Sequence, residues 1–66
     1  MMNIEEVRIK LKEINAIRGD NTVAHMLEDK LYIAVLQAIV DGVDNPQELA
    51  KEALKAYDLE YTRWYA

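Results

Sequence analysis

The positions of glycine and proline constrain this 66-residue chain more than any other feature. The chain contains only two glycines, Gly19 and Gly42, and one proline, Pro46. Glycine and proline interrupt helices and strands, so the long stretches between them are free to form regular structure. They divide the chain into three segments, none of which contains a linker, a repeat or a low-complexity tract. The sequence therefore predicts a single domain, residues 1–66, made of three elements.

The first segment is predicted to form a helix over about residues 3–18. Four apolar residues recur at steps of three or four and share one helix face: Ile4, Val7, Leu11 and Ile14. Asn3 can cap the first turn, and Gly19 can adopt the left-handed conformation that often follows a last turn.

The second segment is predicted to form a helix over about residues 22–41, with Asp20, Asn21 and Thr22 as alternative caps. One face carries Val23, Leu27, Leu31, Ala34, Val35 and Ala38, with Ile39 at its edge. The opposite face carries Met26, Ile33, Leu36 and Val40. A helix that is apolar on two faces is usually buried on both. This helix therefore either lies between its two neighbours or uses one face to bind another chain.

The third segment is predicted to form one helix over about residues 46–64. Asn45 is a capping residue, Pro46 suits the first helical position, and Glu48 suits the third. One stripe then carries Ala50, Ala53, Leu54, Tyr57, Tyr61, Trp64 and Tyr65. A break at Asp58 is the alternative. The four aromatic residues of this stripe belong either to the core or to an interface, where Trp and Tyr are enriched.

Three helices in one short chain predict an all-α fold, a three-helix bundle that associates as a homodimer. A domain of this size buries too little surface to be very stable by itself, and it has no cysteine for disulfides. The predicted partner interface consists of Met26, Ile33, Leu36, Val40, Tyr57, Tyr61, Trp64 and Tyr65.

Little in the sequence indicates catalysis or a cofactor. His25 and Glu28 are three residues apart, a spacing found in metal sites, and Asp29 lies beside them, but the chain has no second histidine. The acidic loop of residues 41–45 lacks the remaining ligands of a calcium loop. With no cysteine and no serine, nucleophilic catalysis has little support. We expect no enzyme activity, no metal and no cofactor.

The net charge of −4 disfavours nucleic acid and anionic membranes as partners. Residues 20–45 carry five acids and one base, so the negative charge is concentrated on the middle helix and its loops. No apolar run has the ~20 residues that a membrane span needs. The first six residues do not resemble a secretory signal, so we expect a cytoplasmic location.

Two patterns in the sequence indicate which class of protein this chain belongs to. The corner from Val35 through Gly42 to Ala50 has the small and apolar residues of a helix-turn-helix DNA reader, although the third segment nets −1. Read whole, the chain resembles a group of short uncharacterised proteins encoded by phages and bacteria. The residues that carry the resemblance are Ala24-His25, Glu28-Asp29, Leu31-Tyr32, Val35-Leu36, Ala38-Ile39, Gly42, Glu48-Leu49-Ala50, Ala53-Leu54 and Arg63-Trp64.

The resemblance implies a small cytoplasmic accessory protein of phage origin and brings no catalytic residue. The leading hypothesis is thus a non-enzymatic protein-interaction module that binds itself or another protein. The alternative is a helix-turn-helix-like DNA-binding regulator that uses the second and third helices.

Overall fold

The computed structural model describes residues 2–59, which fold into a three-helix bundle. Helix α1 spans Ile4–Ala16, α2 spans Asn21–Val40 and α3 spans Pro46–Ala53, and a 3-10 helix continues α3 over Leu54–Asp58. Each α-helix packs against the other two, and the 3-10 helix also contacts α1. The described residues contain no strand, so the predicted all-α class and the three-helix bundle are confirmed.

Side-chain caps begin α1 and α2 at the residues that local sequence favours. The Asn3 side chain accepts a hydrogen bond of 2.9 Å from the Glu6 backbone N–H. Asp20 does the same for the Val23 N–H at 3.2 Å, which selects Asp20 among the three alternative caps. Asn45 precedes Pro46 as expected, but its side chain makes no cap hydrogen bond, so that part of the prediction is wrong.

The two glycines have different backbone conformations. Gly42 has a φ of 88° and follows α2, where the Val43 N–H bonds the Ala38 carbonyl and the Gly42 N–H bonds the Ile39 carbonyl. This pair of bonds is a Schellman motif, which satisfies the last carbonyls of a helix. Gly19 does not have a positive φ, so the predicted left-handed residue after α1 is not formed. A hydrogen bond from the Asp20 N–H to the Ile17 carbonyl closes that turn instead.

The core is built from few and small side chains. Among the described residues, nine hydrophobic ones are buried: Val7, Ile14, Ala24, Leu31, Val35, Ala38, Leu49, Ala53 and Ala56. The predicted faces of α1 and α2 supply most of them, since Val7 and Ile14 come from α1 and Leu31, Val35 and Ala38 from α2. Four of the nine are alanines, so the bundle buries little apolar surface for each residue that it orders.

The third helix differs from the prediction of one continuous helix over residues 46–64. The α-helix ends at Ala53, and the chain tightens into the 3-10 helix up to Asp58. Ala53 and Ala56 are buried and Leu59 packs against the core, and these residues are three apart. A 3-10 helix has three residues per turn, so Ala56 within it lies on the same side as Ala53 before it and Leu59 after it.

The face of α3 is also rotated from the predicted stripe. Leu49, which lies outside that stripe, is fully buried, whereas Leu54 and Tyr57 are exposed. The core alternative for Tyr57 was therefore wrong, and the interface alternative stays a prediction. Tyr61, Trp64 and Tyr65 lie outside the described residues.

Candidate interaction surface

A row of exposed apolar side chains runs along α2 on the side that faces away from the core. We call this row the α2 stripe, and it consists of Met26, Ile33, Leu36 and Val40. Their exposed fractions are 48%, 66%, 62% and 79%. The stripe exists because α2 carries a second apolar face, and α1 and α3 cover only the first. Scattered exposed apolar residues are ordinary on a protein surface, but a contiguous patch marks an interaction site.

An open apolar groove of about 270 Å³ lies beside the α2 stripe, between α2 and α3. It is lined by Tyr32, Val35, Leu36, Ile39, Ala50, Ala53 and Leu54. Leu36 belongs to both the stripe and the groove, so the two features form one continuous surface. The small side chains of Ala50 and Ala53 leave the space, and the exposed side chain of Leu54 forms one wall. Apart from the Tyr32 hydroxyl, this lining carries no side-chain polar group.

Polar residues border the α2 stripe. Asp29 lies within the same row, between Met26 and Ile33, and its Oδ1 atom is 3.5 Å from Nε2 of His25. Lys30 is exposed and forms no ion pair with any residue of the described range. At the end of the helix, the Gln37 side-chain amide donates a hydrogen bond of 3.1 Å to Asp41. The stripe thus has the apolar centre and polar rim of a protein–protein interface.

Glu28 is the one buried charged residue of the described range, and its burial was not foreseen. The Tyr32 hydroxyl, one turn further along α2, donates a hydrogen bond of 2.5 Å to Glu28 Oε2. Glu28 is therefore held within the fold, and His25 approaches Asp29. Within residues 2–59, no group of three or more His, Cys, Asp or Glu side chains is arranged to hold a metal ion.

A charged network joins α1 to the end of α3. Glu52 Oε2 lies 3.0 Å from Nζ of Lys55 and 3.6 Å from Nε of Arg8, and Arg8 also pairs with Glu5 at 3.1 Å. The hydrogen bond from Lys55 is the main influence that holds the pKa of Glu52 below its ordinary value of 4.5. Partial burial opposes this shift, while the positive charges of Lys55 and Arg8 reinforce it.

The predicted interface residues fall into three groups, two of which lie in the described part of the chain. Met26, Ile33, Leu36 and Val40 form one exposed row. Tyr57 is exposed on the 3-10 helix, and the other three aromatic residues lie outside the described residues. The groove adds Ile39 and Leu54, which the sequence analysis had placed at the edge of one α2 face and on the stripe of the third segment.

Comparison with protein-family models, with curated proteins and with solved structures finds no match to this chain. Among the described helices, none combines the length and the apolar character that crossing a membrane would require. An account of function therefore depends on the surface itself.

Proposed function

We propose that this chain is a non-enzymatic protein-interaction module whose binding surface is the α2 stripe with the adjoining groove. The observation that carries the proposal is the row of four large apolar side chains on one helix, each about half exposed or more, with Asp29 as the one charged residue within it. Covering such a row removes apolar surface from water at ~25 cal/mol per Å², and side chains held on a rigid helix lose little entropy on binding.

The chemistry of this surface favours binding over catalysis. Six of the seven groove residues have purely aliphatic side chains, and the seventh, Tyr32, donates its hydroxyl proton to Glu28. Such a lining offers shape and apolar contact but no nucleophile or general base that could act on a substrate. An apolar segment of another protein is the ligand class that suits it.

We extend the proposal to the setting that the resemblance implies, an accessory protein of phage origin working in the cytoplasm. Binding a partner by one exposed helix face requires no cofactor, and a small module of this kind suits an accessory role. The DNA-binding alternative has less support, because residues 46–58 carry three acids and two bases, and one of the two bases, Lys55, is paired with Glu52.

Site-specific photocross-linking in cells tests this proposal. A photoreactive amino acid at position 33 places the probe in the centre of the α2 stripe, and the same probe at the exposed Lys12 position of α1 is the matched control. We expect a protein adduct at position 33, whether to another copy or to a different protein, and none at position 12. A surface that forms no position-specific adduct would contradict the proposal.

A further inference from the structure

The α2 stripe has the spacing of a coiled-coil seam. Met26, Asp29, Ile33, Leu36 and Val40 follow one another at steps of three, four, three and four residues. Met26, Ile33 and Val40 thus occupy one heptad position, and Asp29 and Leu36 occupy the other. Four of these five residues are apolar, and apolar residues at both positions of a heptad are typical of a seam between helices. The expected ligand of the stripe is therefore another helix with the same pattern.

We propose that this helix is α2 of a second copy of the chain, and that the two copies form an antiparallel dimer with two-fold symmetry. The inference rests on the proposed function and deepens it by naming the partner. A two-fold interface is self-complementary, because the same patch is used on both subunits. A seam of apolar residues on a single helix satisfies that condition without any further partner.

The composition of the core supports a second copy. Within residues 2–59, four of the nine buried hydrophobic residues are alanines, whereas nine larger hydrophobic side chains are exposed. A chain of 66 residues without cysteine has few other ways to gain stability, and oligomerisation is one of them. A dimer through the α2 stripe would bury four of these nine exposed side chains, which are Met26, Ile33, Leu36 and Val40.

Asp29 sets the orientation of the two helices. In a parallel pair in register, Asp29 of one copy would lie against Asp29 of the other inside the seam, where like charges repel strongly. In an antiparallel pair centred between Ile33 and Leu36, these two side chains pack on each other across the axis. Asp29 then lies opposite Val40, the last residue of α2, where the carboxylate can reach water. The acidic residue therefore favours the antiparallel arrangement.

The same register pairs opposite charges on the flank of the seam. At 3.6 residues per turn, Lys30 and Asp41 lie on the same side of the stripe, at roughly 60° and 80° from Ile33. The antiparallel register brings Lys30 of one copy within about 3 Å, along the helix axis, of the level of Asp41 in the other. Two-fold symmetry makes this pair twice. Lys30 is the only lysine or arginine among residues 20–45, so its place on this flank gives an acidic helix its complementary charge.

Sedimentation equilibrium of the full chain tests the dimer. We expect the wild type to be a dimer at tens of micromolar and the variant Ile33→Glu/Leu36→Glu to be a monomer with unchanged helical circular dichroism, since both side chains are exposed within one copy. Ile9→Glu, at an exposed position of α1 outside the stripe, is the matched control and should stay dimeric. A wild type that remains monomeric at millimolar concentration overturns the dimer.

Charge exchange tests the register. Lys30→Glu alone should raise the dimer dissociation constant about fivefold to tenfold at low salt, since two pairs are lost per dimer. The exchanged variant Lys30→Glu/Asp41→Lys should return to within about twofold of the wild type, and Lys12→Glu serves as a control for net charge. If the dimer of the double variant dissociates as readily as that of Lys30→Glu, the proposed register is contradicted.

Spin labels distinguish the two orientations. The chain has no cysteine, so Thr22→Cys allows one label per copy at the start of α2. The antiparallel dimer predicts a separation of about 38 Å between the two sites, whereas a parallel pair predicts about 10 Å. A short separation overturns the antiparallel orientation.

The second-copy inference and the proposed function can fail separately. If the chain is monomeric but position 33 cross-links to a different protein, the second-copy inference fails while the proposed function stands. If no adduct forms, both fail.

Discussion

The Tyr32 hydroxyl donates a hydrogen bond of 2.5 Å to Oε2 of Glu28, a carboxylate-bearing residue that is only 3% exposed, one turn earlier on α2. A buried charged group is stable only when polar partners replace the water that it has lost. No buried side-chain polar atom among the described residues lacks a hydrogen-bond partner, and this pair contributes to that balance. The pair also fixes the ring of Tyr32 along one side of the α2–α3 groove.

Tyr32→Phe is therefore expected to lower the free energy of unfolding by about 1–3 kcal/mol, because Glu28 loses one donor in a buried place. A double-mutant cycle with Glu28→Gln isolates the pair from other effects of each change. Urea unfolding of the four proteins should give a coupling energy of about 0.5–3 kcal/mol. Strictly additive effects would show that the two side chains do not depend on each other.

Ile14→Ala and Ile9→Ala compare a core position with an exposed position on the same helix. Ile14 is 1% exposed and Ile9 is 53% exposed. Removing a buried isoleucine side chain typically costs about 2–5 kcal/mol, and a core this small has little to spare, so we expect Ile14→Ala to be largely unfolded at 37 °C. Ile9→Ala should change stability by about 0.5 kcal/mol at most. Equal losses in thermal melting would contradict the described core.

Gly42→Ala and Gly19→Ala test the two turns. Alanine at Gly42 must adopt the φ of 88° that ends α2, which costs roughly 1–2 kcal/mol. At Gly19 the φ is not positive, and no atom outside the neighbouring residues lies within 4 Å of an added Cβ. Gly19→Ala should therefore be neutral or stabilise by up to about 1 kcal/mol. The melting temperature should fall for Gly42→Ala and should stay the same or rise for Gly19→Ala. A larger loss of stability at Gly19 than at Gly42 would contradict the turn assignment.

The lowered pKa of Glu52 leads us to expect that the folded chain loses stability at acid pH. Its pKa is lower in the folded chain than in the unfolded chain, because Lys55 and Arg8 favour the ionised carboxylate. The stabilisation is fully present above the ordinary value of 4.5 and is lost as the pH falls through the lower folded value. Glu52→Gln should thus melt below the wild type at pH 7, and the two curves should converge at acid pH. Glu48→Gln, an exposed position on α3, is the control, and an unchanged pH profile in Glu52→Gln would contradict the ion-pair network.

We expect that the chain does not bind duplex DNA at physiological salt, because α2 and its loops are acidic. Residues 20–45 net −4, and phosphate repulsion opposes any approach of the α2–α3 corner. Fluorescence anisotropy with mixed-sequence duplexes should show no binding at micromolar protein. A sequence-specific complex that survives physiological salt would favour the helix-turn-helix alternative instead.

The bounds and inner faces of α1 and α2 could be predicted from the sequence. Caps such as Asn3 act within one turn, and residues such as Val7 and Ile14 repeat at the period of a helix, so both signals are local. The second apolar face of α2 was also evident, because Ile33 and Leu36 share a side whatever the neighbouring helices do.

The third element could not be predicted in this way, because its face depends on which helices cover it. An α-helix would place four residues on one stripe: Ala50, Ala53, Leu54 and Tyr57. The same segment also contains a second pattern, with a period of three residues. Ala53, Ala56 and Leu59 repeat every three residues, which is the period of the 3-10 helix that the chain adopts, and this signal was present but overlooked.

Burial of Glu28 and exposure of Leu54 were decided by packing among the three helices. A helical wheel gives the direction of each side chain but not the distance to the neighbouring helices, so the sequence alone left open which faces would be covered. Leu49 is fully buried whereas Leu54, five residues later, forms a groove wall. The sequence determined the helices and the two faces of α2, and the tertiary contacts determined which apolar groups left water, because burial depends on the whole set of neighbours that surrounds a side chain.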